Sequence, residues 1–468
     1  MPTLLAQIAG DSVDWADQTS IHPVGLAVLL GLTALVFVLP RAWALAPLLI
    51  LACFVQAGQR IVILTLDFSF LRILVIAYWL RILAFQDFRG VRPLKLDYAV
   101  AAWILVGSIV YIIQQGSVSA ITNRLGHSYE ALGLYIAFRC LLRHWSDIDR
   151  TVATLALLAI PVSILFAVEQ ATGRNMFSVM GGVREFTLER QGRMRAQGAF
   201  SHPIMAGCFW AIVLVLVAGM VMARRRLSLM AAGTIGAFFI LVACASSTPL
   251  LAFFAGMLGL GLAFVRPLLP AIRWGVVLML IVLHLVMQAP VWHLIARVSA
   301  VGGSTGWHRY HLIDNAITRF PEWALFGTRS TAHWGWGLED VTNQYILEGV
   351  RGGAITLALF VMVIVFAFRA VGSALAQMPT RDARFWITWA LVGPPYLPSC
   401  GSACLGQMYA NPQSGATQRP PSNPTAPRDL APRSRTTPRL SPPNRSSLNT
   451  SGLRRGRAPT SSDGSFLR

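Results

Sequence analysis

Apolar positions along this chain fall in unbroken blocks, not in the alternation of a half-buried strand or the one-sided stripe of a surface helix. The blocks occupy roughly residues 24–39, 43–57, 68–85, 98–113, 128–142, 152–169, 203–222, 228–245, 249–265, 274–290 and 342–368, and a last one begins near Phe385. A hydrocarbon layer about 30 Å thick takes about 20 apolar residues per helical crossing. Segments of this length and number exceed what one soluble core can bury, and membrane β-strands would alternate polar and apolar residues. The pattern predicts an all-α fold, a polytopic transmembrane helical bundle of about 11–12 spans. A soluble enzyme and a protein with one membrane anchor are excluded.

The polar segments between the blocks predict an orientation. Let the chain start outside, with the acidic Asp11, Asp14 and Asp17. Then Arg41, the group Arg89, Arg92 and Lys95, and the group Arg139, Arg143 and Arg150 fall on the cytoplasmic side. So do Arg224 to Arg226, Arg266 with Arg273, and Arg369, Arg381 and Arg384. Six basic loops on one side satisfy the positive-inside rule. Residues 170–202 and 291–340 are left on the extracytoplasmic side, the second as a large helical loop late in the chain. Residues 170–202 carry five arginines against two glutamates. Long loops cross irrespective of charge. The functional alternative is an anion site, since the guanidinium fork matches phosphate oxygens.

The later segment holds His293, His308, His311 and His333. Its turn from Gly302 to Gly306 offers Ser304 or Thr305 as a helix N-cap. Leu312, Ile313, Ala316, Ile317 and Phe320 then form an apolar stripe, and His308, His311 and Asn315 share the other face. Pro321 ends that helix. Solvation accounts for the polar face as readily as function does. Two histidines at i, i+3 with no third ligand make a weak metal site, so no metal is expected.

Composition agrees with the blocks. Hydrophobic residues make up 55% and charged residues 13%, where soluble domains carry about 25% charged. Basic residues number 39 against 20 acidic, a formal charge of +19, and Lys95 is the lone lysine. The positive loops explain this charge without a nucleic-acid partner. Cys53, Cys140, Cys208 and Cys244 lie in or beside the blocks and behave as small hydrophobes. Cys400 and Cys404 have no partner pair for a zinc site or disulfide framework. The N-terminus lacks the basic region of a signal peptide. Residues 1–393 thus form the membrane domain. Residues 394–468 differ abruptly, with ten arginines against two aspartates among Pro, Ser and Thr. Such a tail lacks the apolar surface to order itself. The change interrupts the block at Phe385–Val392, which points to a displaced reading frame, with a genuine disordered tail as the alternative.

Ionisable residues in apolar blocks are functional candidates by default. Arg72 sits near the outer end of its block and either lines a cavity or pairs with Asp67. Arg81 is expected to snorkel to the cytoplasmic surface. Glu130 and Glu169 read as helix-end residues or cavity groups. The stretch RMRAQGAFSHPIMAG (Arg193 to Gly207) brings Arg193, Arg195 and His202 to the start of a span. Pro203 suits a first helical turn. A helix N-terminus beside arginines is an anion seat, although a lone histidine such as His202 is more often a cap.

Arg193 to Gly207 resembles the approach to a central helix in the O-antigen ligase and polysaccharide polymerase superfamily, in which an arginine, glycine, phenylalanine and proline recur in order. GSTGWHRYHLIDNAITRFPEWALFGTRS (Gly303 to Ser330) resembles the large external loop of that family, with Pro321 and Gly327 at its closing turn. TNQYILEGVRGGAITLALFVMVI (Thr342 to Ile364) is similar to the family's H-N-x-Y-L motif, but Thr342 stands where the family has histidine. The resemblance spans most of residues 60–392. It implies a multi-pass glycosyltransferase of the bacterial inner membrane, working without cofactor or metal. Its partners would be an undecaprenyl-pyrophosphate-linked glycan donor, a saccharide or lipid-A-core-like acceptor, and membrane lipid. Arg195 and Arg309 are the expected grip on pyrophosphate, with His311 as the catalytic companion. Arg193, His202, His308, Arg72, Asn343 and Arg351 are expected to bind substrate. Threonine is no base near neutral pH, so His308 or His311 takes that role or the chemistry rests on orientation. A transporter or flippase for lipid-linked or anionic saccharides is the alternative, although the internal repeats typical of transporters are not seen in the chain. A non-catalytic assembly subunit is the third reading.

Overall fold

The computed structural model of this chain describes residues 19–56, 58–63, 66–190, 192–297 and 306–392. Asp11, Asp14 and Asp17, the candidate caps Ser304 and Thr305, Cys400, Cys404 and the 394–468 segment lie outside the described residues.

Each apolar block becomes a helix. They are α1 (Pro23–Val38), α2 (Ala46–Phe54), α3 (Phe70–Ala84), α4 (Lys95–Gln115), α5 (Val118–Leu141), α6 (Trp145–Thr172), α7 (Pro203–Met222), α8 (Leu227–Ala243), α9 (Ser247–Gly261) and α10 (Leu269–Val286). A short α11 (Leu294–Arg297) and then α12 (Gly306–Thr318), α13 (Phe320–Trp323), α14 (Gln344–Ala376) and α15 (Ala383–Val392) complete the order. Five stretches are long and apolar enough to cross a membrane: Lys95–Gln115, Trp145–Thr172, Pro203–Met222, Ser247–Val286 and Gln344–Ala376. Pro23–Val38, Arg41–Phe54 and Leu227–Ala243 are shorter and equally apolar.

Local chemistry sets several boundaries. Pro203 opens α7, as its fixed φ allows. Ser117 Oγ accepts from Ala120 N and starts α5 ten residues ahead of the expected block. Glu130 therefore lies mid-helix and buried, not at a helix end. Block 43–57 is cut back to α2, because the chain turns at Val55 toward an antiparallel hairpin, Arg60–Ile63 with Leu66–Ser69. Helix α12 stops at Thr318, and Pro321 opens α13 instead of ending α12. Arg81 does not snorkel. Its side chain is buried and bonds to the carbonyls of Val36 and Leu39 at the end of α1. A cation at a helix C-terminus meets the negative end of the dipole there.

Two cores hold the bundle. Phe166, Trp210, Met230 and Ile240 centre one among α6, α7 and α8. Phe70, Leu74, Tyr78 and Val36 centre the other between α1 and α3. Helix α6 lies close on α8: a Cβ at Gly233 would stand 2.7 Å from Ala156 Cβ, and one at Gly236 2.7 Å from Ala159 O. Small residues at such seams let backbones approach and gain dispersion contact, the packing used where lipid removes the hydrophobic drive between helices. Large apolar side chains point outward instead, as at Leu278 (63% exposed), Ile235 (73%) and Leu285 (77%). The four cysteines of the bundle, Cys53, Cys140, Cys208 and Cys244, are buried free thiols.

Helix α14 is broken at Gly353, whose φ of 72° and ψ of 179° are open to glycine alone. An unbroken helix would pair Ala354 N with Val350 O. Here Ala354 N donates to Ala324 O (2.8 Å), and Val350 O accepts from Thr328 N (2.8 Å) and Gln114 Nε2 (3.2 Å). Segment 324–328 thus satisfies both groups that the break frees, as an apolar environment demands.

Candidate functional site

Segment 170–202 is organised around Glu169, a carboxylate with 0% exposure near the end of α6. Its Oε1 accepts from Gln197 N (3.0 Å) and Thr187 Oγ1 (3.1 Å), and its Oε2 from Gly198 N (3.1 Å). Gly198 takes φ +58°, and a Cβ there would stand 2.3 Å from the Phe166 ring. This places a physical demand on the glycine of the Arg193–Gly207 stretch. The preceding residues form a hairpin, Leu188–Arg190 with Arg193–Arg195, in the register Leu188 opposite Arg195. Ala196 N (3.1 Å) and Gln170 Nε2 (2.6 Å) both donate to Ala243 O, which pins the segment to the end of α8.

Arg193 is exposed, whereas Arg195, two residues on, is buried with its Nε unpartnered. Burial, then the positive charge of Arg190, pulls the Arg195 guanidinium below the ordinary arginine range. His202 is the N-cap of α7, its Nδ1 accepting from Ile204 N at 3.1 Å. Burial, then the charges of Arg195 and Arg190, lowers its pKa to about 4. It is therefore neutral at pH 7, and its Nε2 remains a proton donor.

From the other side, Arg309 on α12 donates from Nη2 to Thr248 Oγ1 at 2.7 Å. Thr248 lies in the first turn of α9, five residues beyond Ala243, whose carbonyl accepts from Ala196 N next to Arg195. The two arginine-bearing segments therefore abut one connection, the α8–α9 turn. An apolar cleft lined by Leu51, Val55, Phe70, Leu71, Ala199 and Phe200 opens beside the 195–202 stretch.

On α12, the His311 ring stacks on Trp307 (13° between planes, centroids 6.4 Å apart). Asn315 Nδ2 donates to His311 O (2.9 Å), which fixes the amide, and stands 3.4 Å from His311 Nδ1. His308 Nε2 reaches Asp340 O at 3.2 Å.

The remaining expected site residues belong elsewhere in the bundle. Arg72 is buried and bound on both sides, its Nε to Glu130 Oε1 (2.7 Å) and its Nη1 to the Asp67 carboxylate. Of the two readings open for it, the ion pair is the one found. Asn343 caps α14, its Oδ1 accepting from Tyr345 N (3.0 Å) and Ile346 N (3.4 Å), while the neighbouring Thr342 hydroxyl is buried without a partner. Arg351 lies on α14 near Arg124 and His127 of α5. Glu169 and Thr248 are the organising residues that motif reading passes over. Glu169 showed as a carboxylate closing an apolar block; Thr248 carried no signal. Among the described residues no group of three or more His, Cys, Asp or Glu side chains is placed to hold a metal ion. The chain matches no family model, and no curated protein or solved structure matches it.

Proposed function

We propose that this chain is a lipid-linked glycan transferase of the O-antigen ligase or polysaccharide polymerase kind, acting at the outer face of the bacterial inner membrane. The observation that carries the reading is the convergence of Arg195 and Arg309 on the α8–α9 turn. The acceptor hydroxyl oxygen attacks the anomeric carbon of the donor glycan. The bond from that carbon to the pyrophosphate oxygen breaks, and undecaprenyl pyrophosphate leaves with the electron pair. Arginines fixed before the reaction stabilise the charge that grows on the leaving group. The N-terminus of α7 adds its dipole, and the apolar cleft beside Phe200 suits the prenyl chain. His311, two residues from Arg309 on α12, is placed to hydrogen-bond a phosphate oxygen. The hydroxyl proton then passes to solvent or to another group as the new glycosidic bond forms.

Transfer from an undecaprenyl-pyrophosphate-linked glycan in membranes, at matched expression, tests this reading. Arg195→Ala and Arg309→Ala should each slow transfer by roughly 10²–10³. Arg309→Lys should fail almost as badly, because an ammonium lacks the planar fork. Full activity in both alanine variants would remove the pyrophosphate site. The break in α14 favours transport as the second reading, since transporters bind at discontinuous helices. Movement of the labelled donor across vesicles without glycan transfer would select it.

A further inference from the structure

A second group of cations lies away from the α8–α9 turn, where α4, α5 and α14 meet segment 324–328. Gln344, Glu348 and Arg351 share one face of the first part of α14, and Arg124 and His127 share one face of α5. The Arg124 guanidinium lies over the Tyr111 ring (5.6 Å to its centroid) and against α4 at Gly107, where a Cβ would stand 2.9 Å from its Nη2. Arg124 Nε is buried and donates to no partner. Among the described residues no carboxylate oxygen comes within ion-pair distance of Arg124 or Arg351, in contrast to Arg72, which holds both Asp67 and Glu130. Glu348 is the acid that acts electrostatically on Arg124, and its oxygens accept from Trp103 Nε1 (2.9 Å) and Gln344 Nε2 (2.7 Å). Arg351, Arg72 and Arg124 all act electrostatically on His127, which stands 3.8 Å from Glu130 Oε2 and keeps 35% of its side chain exposed as the way in for a ligand.

Two like charges held together in a partly buried place, with no carboxylate within ion-pair distance, are costly unless an anion completes them. We propose that Arg124 and Arg351, with His127 beside them, form an anion seat for the acidic group of a saccharide, a uronate carboxylate or a sugar phosphate. This rests on the transferase reading. There the donor's pyrophosphate belongs to Arg195 on the hairpin and Arg309 on α12, and a second anion seat serves the glycan that is extended or attached. Segment 324–329 is tied to the end of α4 by side chains that donate to backbone carbonyls. Gln114 Nε2 donates to Phe326 O (2.8 Å) and Arg329 Nε to Gln114 O (2.7 Å), so a ligand entering here meets the same loop that carries α12.

The test is equilibrium binding to the full chain in nanodiscs of phosphatidylcholine, using a galacturonate trisaccharide and its neutral galactose counterpart as probes. The acidic probe should bind roughly 10–150-fold more tightly, the worth of one or two hydrogen bonds to a charged group. Arg124→Gln and Arg351→Gln should each erase most of that preference, and Arg225→Gln should leave it. Because Arg124 holds no ion pair and gives up only its place over the Tyr111 ring and a longer-range attraction to Glu348, its glutamine variant should melt close to the unsubstituted chain. A seat that is only structural would instead lose stability with the probe preference unchanged, which overturns the proposal. Equal binding of the two probes overturns it as well. Loss of the preference on adding phosphatidylglycerol would assign the seat to a lipid phosphate and not to a saccharide. No turnover is measured, so failure here is separate from failure of the Arg195 and Arg309 transfer assay.

Discussion

Replacing Glu169 with glutamine exchanges one carboxylate oxygen for an amide nitrogen and changes little else in volume. Its two oxygens serve different donors: Oε1 takes Gln197 N and Thr187 Oγ1, and Oε2 takes Gly198 N. The amide settles with its oxygen toward the two donors, which turns its NH2 against the Gly198 N–H. One buried backbone donor then loses its acceptor, at a cost of about 1–3 kcal/mol. That is roughly a 5–150-fold rise in the population of the opened segment. Glu169→Ala removes all three acceptances and should cost more. Hydrogen exchange read by mass spectrometry over peptides covering residues 196–200 measures the opening directly. A peptide within α7, around Trp210, serves as the reference that should not change. Exposed Glu189 on the hairpin provides the control substitution, Glu189→Gln, which should leave exchange as it was. Arg195 rides on the same segment, so glycan transfer should fall together with protection. If exchange at residues 196–200 in Glu169→Gln equals that of the unsubstituted chain, the carboxylate does not hold the segment and the reasoning fails.

Gly353→Ala should be severe, because the alanine Cβ would stand 2.3 Å from Leu325 O in a backbone region closed to L-residues. Melting in detergent should drop clearly, whereas Gly372→Ala, with open space around it on the same helix, should hold or gain slightly; equal melting of the two would refute the role given to the break. His202 predicts a pH effect of known sign. Its folded pKa of about 4 lies below the unfolded value of about 6.5, so the unfolded chain binds the extra proton between them. Its contribution to stability is complete above about pH 6.5 and declines as pH falls toward 4. His202→Asn, which retains a cap, should melt with a shallower acid slope than the unsubstituted chain, and parallel slopes would contradict the neutral cap.

Helix positions were legible in the chain because length and continuity of apolar residues decide them almost alone. The block 203–222 coincides with α7 to the residue, since Pro203 marks its start and burial of every face leaves no competing pattern. The two hairpins were not legible, because four- and three-residue strands are too short to show a period. Candidate residues divide along the same line. Arg195, Arg309 and the histidines of α12 could be named from sequence because polar groups beside apolar blocks stand out by type. Their settings could not. Arg72 is an ion-pair partner through Glu130, 58 residues away, and Arg124 is left unpaired because Glu348, more than two hundred residues on, spends its oxygens on Trp103 and Gln344. Gly353 is one of a glycine pair at the head of an apolar run; only the approach of the Ala324 and Leu325 carbonyls makes it a break. By itself the sequence determined a helical, apolar chain with basic loops, since those follow from transfer free energies summed residue by residue. The tertiary structure decided which charges are matched, which backbone groups are exchanged between segments and which arginines share a turn. Those depend on partners brought together across the chain, about which local composition carries no information.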